Sequence, residues 1–552
     1  MLTSRIVSSL DKCFPHSMPS DFPPLERISA LRGERLSFQY LCRNVAPDAP
    51  HRLRCSVKLA GALAEFATLR TVEYTPSQMP MYPLPRVSDE DYLTKEPGLF
   101  PDRLEPVDQC GVPVCSFQTR ALWVTVEIPA DAESGEHTLT LTLESDGAVL
   151  DSKTLTVNVI GATLPAQTMK VTQWFHCDCL ADYYRVPVFS EEHWRIIENF
   201  ARTAVRNGIN TLLTPLFTPP LDTAVGHQRP TVQLVGVTLE NGEYSFDYTL
   251  LDRWIQMCDR VGIENLEINH LFTQWGAAAA PKIMARVDGE YRRIFGWDTP
   301  ASQGEYPKFL RAFLPDFIAH MKARGDDKRC IFHISDEPKP KNLEQYAASR
   351  AVVADLLREY TVMDALSNLD FWEQGVVEMP VVATSNIHAF IDAGVTDLWA
   401  YYCCSQINYT SNRFFAMSGA RTRCIGLQFY KYNIVGFLQW GYNFYYDQGS
   451  YNLVDPYSDS TGNYFTPSGD TYSVYPAPDG TAYESLRIVQ FHEALEDVRA
   501  LSLCESLCGR DAAISALESI CGDIRFDRCI CDSDKMIAVR EAINQMIANA
   551  LK

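Results

Sequence analysis

Two adjacent carboxylates, Asp336 and Glu337, sit within the segment R-C-I-F-H-I-S-D-E-P-K-P at 329–340. Carboxylates move protons, and sugar processing pairs them with aromatic faces that cover the apolar sides of pyranose rings. Cys330, Ile331, Phe332 and Ile334 form a short apolar run between Gly325-Asp326-Asp327 and two prolines, which predicts a buried strand. Side chains of successive strand residues point to opposite faces, so both acids address one ligand only where the strand ends or is distorted. Pro338 donates no ladder hydrogen bond and is expected to hold Glu337 extended. The same Asp-Glu-Pro composition also fits a solvated turn.

Other strand ends supply companions. The first ends W-F-H-C-D and offers Trp174, His176 and Asp178; the third offers Glu267, Asn269 and His270, followed by Trp275. The seventh carries Trp399, Tyr401 and Tyr402, and the eighth Trp440, Tyr442 and Asn443. Aromatic residues at such spacing commonly pack a core; their shared place beside an acid pair points to a binding site. Competing chemistries lack their residues. There is no G-x-S-x-G elbow and no protease-type cysteine signature, and H-E-A-L-E at 492–496 has no second histidine for zinc. His227, His388 and His492 fall outside the strand ends and read as surface or core histidines. Cys177 and Cys179 around Asp178, and Cys504, Cys508, Cys521, Cys529 and Cys531, lack paired C-x-x-C spacing, so no metal or other cofactor is expected.

These residues need a scaffold. From about 37 to 159 the chain runs in short alternating segments with turn residues between them, which predicts a β-sandwich ending at a linker, G-A-T-L-P-A-Q. After Met169 strands alternate with amphipathic helices. Strands are expected at 171–176, 210–215, 265–271, 330–335, 361–366, 381–384, 397–403 and 436–440, with helices at 191–207, 250–261, 308–324, 342–359 and 413–420. That rhythm predicts a (β/α)8 barrel of the TIM type, whose C-terminal strand ends carry the site. A doubly wound sheet is the alternative, but no G-x-G-x-x-G follows the first strand and no Walker-type loop is present. A hairpin around N-G at 232–247 and an aromatic loop at 445–482 decorate the barrel, and helices follow. The expected organisation is multidomain: a sandwich over 1–160, a barrel over 168–482 and a helical segment over 483–552.

The 552 residues are 46% hydrophobic and 21% charged, the composition of a globular chain. A net charge of −20 opposes binding to nucleic acid or anionic membranes and suits a neutral substrate. No run approaches the roughly 20 apolar residues of a spanning helix, and the N-terminus lacks a sustained apolar core. Seventeen cysteines among apolar neighbours read as core residues of a reduced, cytoplasmic protein.

In their order these segments resemble glycoside hydrolase family 123 and its relatives. The matching motifs are P-G-L-F-P-D-R-L-E-P at 97–106, A-L-W-V-T-V-E-I-P at 121–129, S-G-E-H-T-L-T-L at 134–141, the D-E-P at 336–338, V-T-D-L-W at 395–399, F-L-Q-W-G-Y-N at 437–443 and S-L-R-I-V-Q-F-H-E-A-L-E-D at 485–497. The resemblance covers most of the chain, and its specificity lies in the order of the motifs. It implies an exo-acting N-acetyl-β-hexosaminidase, in characterised members an N-acetyl-β-galactosaminidase, which acts on an oligosaccharide or glycoconjugate with retention. The 2-acetamido group of the substrate would be the nucleophile, an exception to the two-carboxylate scheme. By position Glu337 would be the acid/base and Asp336 would orient the acetamido nitrogen, so Glu337 should have a raised pKa and Asp336 should stay ionised. Tyr401 or Tyr402 would donate to the acetamido carbonyl, with Trp399 and Trp440 as pocket walls. Two departures concern the substrate: H-E-A-L-E-D-V replaces R-E-G-x-E-D-Y, and Tyr445 replaces the second aromatic of W-G-x-N-x-W. A binding barrel without activity, a glycosidase for another sugar, and a two-carboxylate enzyme using Asp178, Glu267 or Asp364 remain alternatives.

Overall fold

The computed structural model describes residues 2–45, 52–83 and 85–552. Its N-terminal part holds two five-stranded sheets. One is ordered Leu2–Ser8, Arg35–Asn44, Thr119–Glu127, Ala67–Ser77, Gly98–Pro106, with every neighbour antiparallel. The other is ordered Arg27–Arg32, Ala148–Thr163, Gly135–Ser145, Arg52–Ala60, Val112–Cys115, and its first pair is parallel. Alternation drives the burial: Leu139, Leu141 and Leu143 turn inward while the threonines between them stay on the other face. Those leucines share one core with Phe38, Tyr40, Leu122 and Val124 of the first sheet. This β region begins at residue 2, well before the expected 37, and its long last strand runs to Thr163.

Eight strands then close a parallel barrel: Lys170–Gln173, Thr211–Thr214, Asn265–Ile268, Cys330–Phe332, Thr361–Leu366, Met379–Ala383, Trp399–Tyr401 and Gly436–Gln439. Lys170 pairs with Gly436 to seal the ring. All eight expected strands are present, and most end earlier than the sequence suggested. Helical segments fall between consecutive strands along the chain. Ser190 caps Glu191–Arg206 by accepting the His193 amide, and Gly262 and Gly325 end Thr249–Val261 and Glu305–Arg324 in left-handed conformations.

Three expectations need correction. The helix expected at 342–359 is short, Leu343–Ala351, and turns replace its second half. The segment 413–418 is not helical; the helices are Gly419–Arg423, capped by Ser418, and Ile425–Lys431. Arg413 is drawn inward instead, where it donates to the carbonyls of Gly441 and Asp470. The hairpin Gly236–Glu240 and Glu243–Asp247 is present, but a second hairpin, Ile283–Val287 and Glu290–Phe295, extends it to four strands.

Helices Leu486–Cys508, Arg510–Cys521 and Ser533–Ala550 follow the barrel. Leu486, Phe491 and Leu495 lie in the same core as the barrel residues. Two of the resembling motifs meet in a buried ion pair: Arg487 grips Asp102 through Nε at 2.8 Å and Nη2 at 2.9 Å. Arg487 also donates to the carbonyls of Gly469 and Tyr472, so the N-terminal sheet braces the loop that follows the eighth strand. All seventeen cysteines are free. Among the described residues, no helix is long and apolar enough to cross a membrane.

Candidate active site

The fourth strand ends at Phe332, yet the chain beyond it stays beside the segment that follows the third. Leu271 donates to the His333 carbonyl at 3.1 Å, Phe272 to that of Ile334 at 3.1 Å and Trp275 to that of Asp336 at 2.7 Å. On the opposite side, the Glu337 amide donates to the Ala365 carbonyl at 3.1 Å. Glu337 is not extended as expected; its φ is +40°. Hydrogen bonds on both flanks hold a backbone state that costs a non-glycine residue about 1–2 kcal/mol. This twist breaks the strand alternation at the pair. The Glu337 side chain reaches the seventh strand, where Tyr401 donates to its Oε1 at 2.6 Å. Ser367 lies 3.3 Å from the same phenol oxygen. Burial and the charge of Glu337 push the Tyr401 phenol well above its usual range, so it remains a donor.

Asp336 has no side-chain hydrogen bond to any described residue. Burial, then the charges of Glu337 and Asp222, push its carboxyl well above the usual range, opposite to the expectation that Asp336 stays ionised. A hydrogen bond donated to its oxygens is what would favour the charged form.

Beneath the pair lies a polar floor. His333 bonds Glu267 at 2.7 Å and Asp364 at 3.3 Å through its two nitrogens. Burial alone would depress His333, but the bonds to Asp364 and Glu267 prevail and raise it to about 9. Glu267 also accepts from Thr172 and, at 2.8 Å, from the Trp174 indole. Asp364 accepts the Ile334 amide at 2.9 Å and the Tyr346 hydroxyl. Glu267 and Asp364, two of the three acids named as alternative partners, are thus committed to the barrel interior. His270 stacks on His333 while Trp174 meets both rings edge-on, and burial drives His270 well below its ordinary value, so it is neutral. His270, His333 and Asp364 bring possible ligand atoms within 4.8 Å of one another. The two imidazole rings stack at 4.4 Å with 22° between planes, and both His333 nitrogens are already engaged by Glu267 and Asp364.

The remaining expected residues divide by what their polar atoms do. Asn443 accepts the His176 amide at 2.9 Å and donates to its carbonyl at 3.0 Å; Asn269 takes the Phe217 amide and donates to the His270 carbonyl. His176 bonds the Trp440 carbonyl and meets Arg229, and burial with that positive charge lowers it to about 3. Asp178 is clamped by Arg229 through two bonds of 2.7 Å, both residues buried. These four serve as loop ties. Tyr402, one residue past the seventh strand, packs on Phe437. Trp399 lies over Gly436, where a Cβ would come within 2.1 Å of its ring. Trp440 donates its indole N–H to Asp470 at 2.9 Å.

Sequence reasoning missed Asp222, Asp470, Arg229 and His333. Burial raises Asp222 to about 7 and Asp470 to about 6; Glu337 adds to the first, and Arg413 opposes the second. Asp222, Arg229 and Asp470 lie on long loops without a local motif. His333 carried a usable signal, a histidine within an apolar strand of a chain with acids on the two neighbouring strands.

The profile described as Glycoside hydrolase 123, catalytic domain, matches residues 174–504. No curated protein matches the chain. Among solved structures, a family 123 glycoside hydrolase from Clostridium perfringens, described in terms of glycolipid glycan hydrolysis, aligns with TM-score 0.72 at 14% identity, covering 100% of this chain and 98% of that one. A Bacteroides ovatus family 5 xyloglucanase aligns with TM-score 0.31 at 10% identity, covering 85% and 98%. A family 39 glycoside hydrolase from Bacteroides cellulosilyticus gives 0.32 at 10% identity, covering 81% and 80%. With its profile match spanning more than half of the sequence, this chain belongs to glycoside hydrolase family 123.

Proposed function

We propose that the protein removes a terminal β-linked N-acetylgalactosamine, or a related N-acetylhexosamine, from an oligosaccharide or glycolipid glycan, with retention and with the 2-acetamido group as nucleophile. Glu337 protonates the glycosidic oxygen and then, as a base, takes a proton from the attacking water. Asp336 accepts the acetamido N–H and stabilises the positive charge of the oxazolinium-like intermediate. Trp399, Trp440 and Tyr401 enclose the terminal sugar, and Tyr401 holds Glu337 in place. We read the barrel as (β/α)8 with its C-terminal strand ends as the catalytic face. The sandwich over 1–160 and the helices over 483–552 buttress the barrel over 168–482.

One observation carries this reading. Glu337 and Asp336 occupy one site, while Asp178, Glu267 and Asp364, the acids that the sequence offers as a two-carboxylate partner, are each fixed by several bonds elsewhere. A substrate that brings its own nucleophile needs no second free carboxylate. The test is a panel of nitrophenyl β-glycosides with and without the 2-acetamido group. Turnover confined to the acetamido sugars, and abolished in Glu337→Gln, is expected; vigorous cleavage of the plain β-galactoside contradicts the mechanism.

A further inference from the structure

Beside the acid pair, the loops after the second and third strands are stitched together. Gln274 accepts the Asp222 amide at 2.7 Å and donates to the Thr223 carbonyl at 3.1 Å. The next residue, Trp275, donates its amide to Asp336. Asp222, Trp275, Ala277 and Glu337 are all non-glycine residues with φ between +40° and +63°. Such strain persists where the surroundings over-determine it, and it gathers at ligand sites. Here Ser335 Oγ accepts the Gly276 and Ala277 amides, and Ser349 donates to the Ala277 carbonyl at 2.7 Å. The loop that presents Trp275 is therefore rigid.

What this rigidity presents is unusual. Trp275 is 49% exposed, whereas Trp174, Trp399, Tyr401 and Trp440 are buried. Its ring stacks on no other aromatic among the described residues. Asp222, whose backbone amide Gln274 holds, has a carboxylate that takes no hydrogen bond from any described residue and interacts electrostatically with both Asp336 and Glu337. A terminal sugar needs an enclosed pocket, while the group it leaves behind must project outward. An outward indole on a loop tied to the one that carries a free acceptor suits the second of these.

We infer that Trp275 and Asp222 form a leaving-group subsite, in which the indole stacks on the apolar face of the sugar preceding the cleaved bond and the carboxylate accepts from its hydroxyls. The inference rests on the proposed glycosidase reading. It makes a sugar leaving group, in preference to a small one, the favoured substrate class.

The test compares two substrates of one glycone: a trisaccharide with a terminal β-N-acetylgalactosamine, and the corresponding glycosyl fluoride, whose leaving group is too small to stack. Trp275→Gly removes the ring and relieves the left-handed backbone, so folding is not at risk. The ratio of kcat/KM for trisaccharide over fluoride is expected to fall roughly tenfold or more. It should recover in Trp275→Tyr and also fall in Asp222→Asn. An unchanged ratio in Trp275→Gly or in Asp222→Asn overturns the inference. If wild type cleaves neither substrate, the proposed function itself is at fault.

Discussion

Asp178→Asn separates a scaffold carboxylate from a nucleophile. The substitution keeps the side-chain volume and removes one charge from a buried pair. Arg229 would then retain the Leu221 carbonyl at 3.1 Å and the His176 ring nitrogen at 3.2 Å, with the Phe444 and Tyr446 rings around it, and no anion against it. Breaking a buried ion pair from one side costs about 3–5 kcal/mol, a large part of the roughly 5–15 kcal/mol that keeps a domain folded. Denaturant unfolding at pH 7 should therefore show a clear drop in the midpoint of the barrel transition. Activity of the folded variant should fall by no more than about a hundredfold, the effect of slightly misplaced groups. Loss of a true nucleophile would instead remove a factor on the order of 10⁴ or more with stability kept. The reasoning is refuted if Asp178→Asn is as stable as wild type, is inactive to that degree, and recovers turnover with azide.

Three further outcomes are expected. Tyr401→Phe deletes a hydrogen bond to a carboxylate worth about 1.5–3 kcal/mol, so kcat/KM on an aryl 2-acetamido glycoside should fall on the order of 10- to 100-fold; a loss below about threefold counts against the assigned role. His333 has a pKa raised from 6.5 to about 9, so its contribution of about 3 kcal/mol is complete below pH 6.5 and vanishes as pH rises through 9. Urea unfolding at pH 6 and pH 10 should show that slope in wild type and not in His333→Gln, and equal slopes would remove the ion-pair account. Gly436→Ala would thrust a methyl into the Trp399 ring; a destabilisation of about 1–3 kcal/mol with a raised KM is expected, and wild-type values would show that Trp399 is freer than it looks.

The barrel was legible because strand and helix periods alternate strongly along 169–440, and the acid pair because two charges at the exit of Cys330–Phe332 need a reason. Strand ends were over-extended, since Trp174, Asn269 and His333 keep strand-like composition while their side chains bind loops or the barrel floor. The left-handed state of Glu337 was illegible: Pro338 predicts extended backbone, and the bonds from Trp275 and to Ala365 come from distant chain. Arg413 misled for a similar reason, because its carbonyl partners are far along the chain. Asp222 and Asp470 had no periodicity to mark them; only their neighbours in the folded chain, Glu337 for the first and Arg413 for the second, reveal them.

The central claim is that the substrate supplies the nucleophile beside Asp336 and Glu337. A series of aryl glycosides bearing acetamido, fluoroacetamido, difluoroacetamido and trifluoroacetamido groups at C2 tests it directly, because each fluorine weakens the carbonyl oxygen as a nucleophile while altering size little. Under this account kcat/KM falls steeply and steadily along the series. A flat response, with the trifluoro compound cleaved as fast as the parent, would mean that an enzyme carboxylate attacks and that the account is wrong.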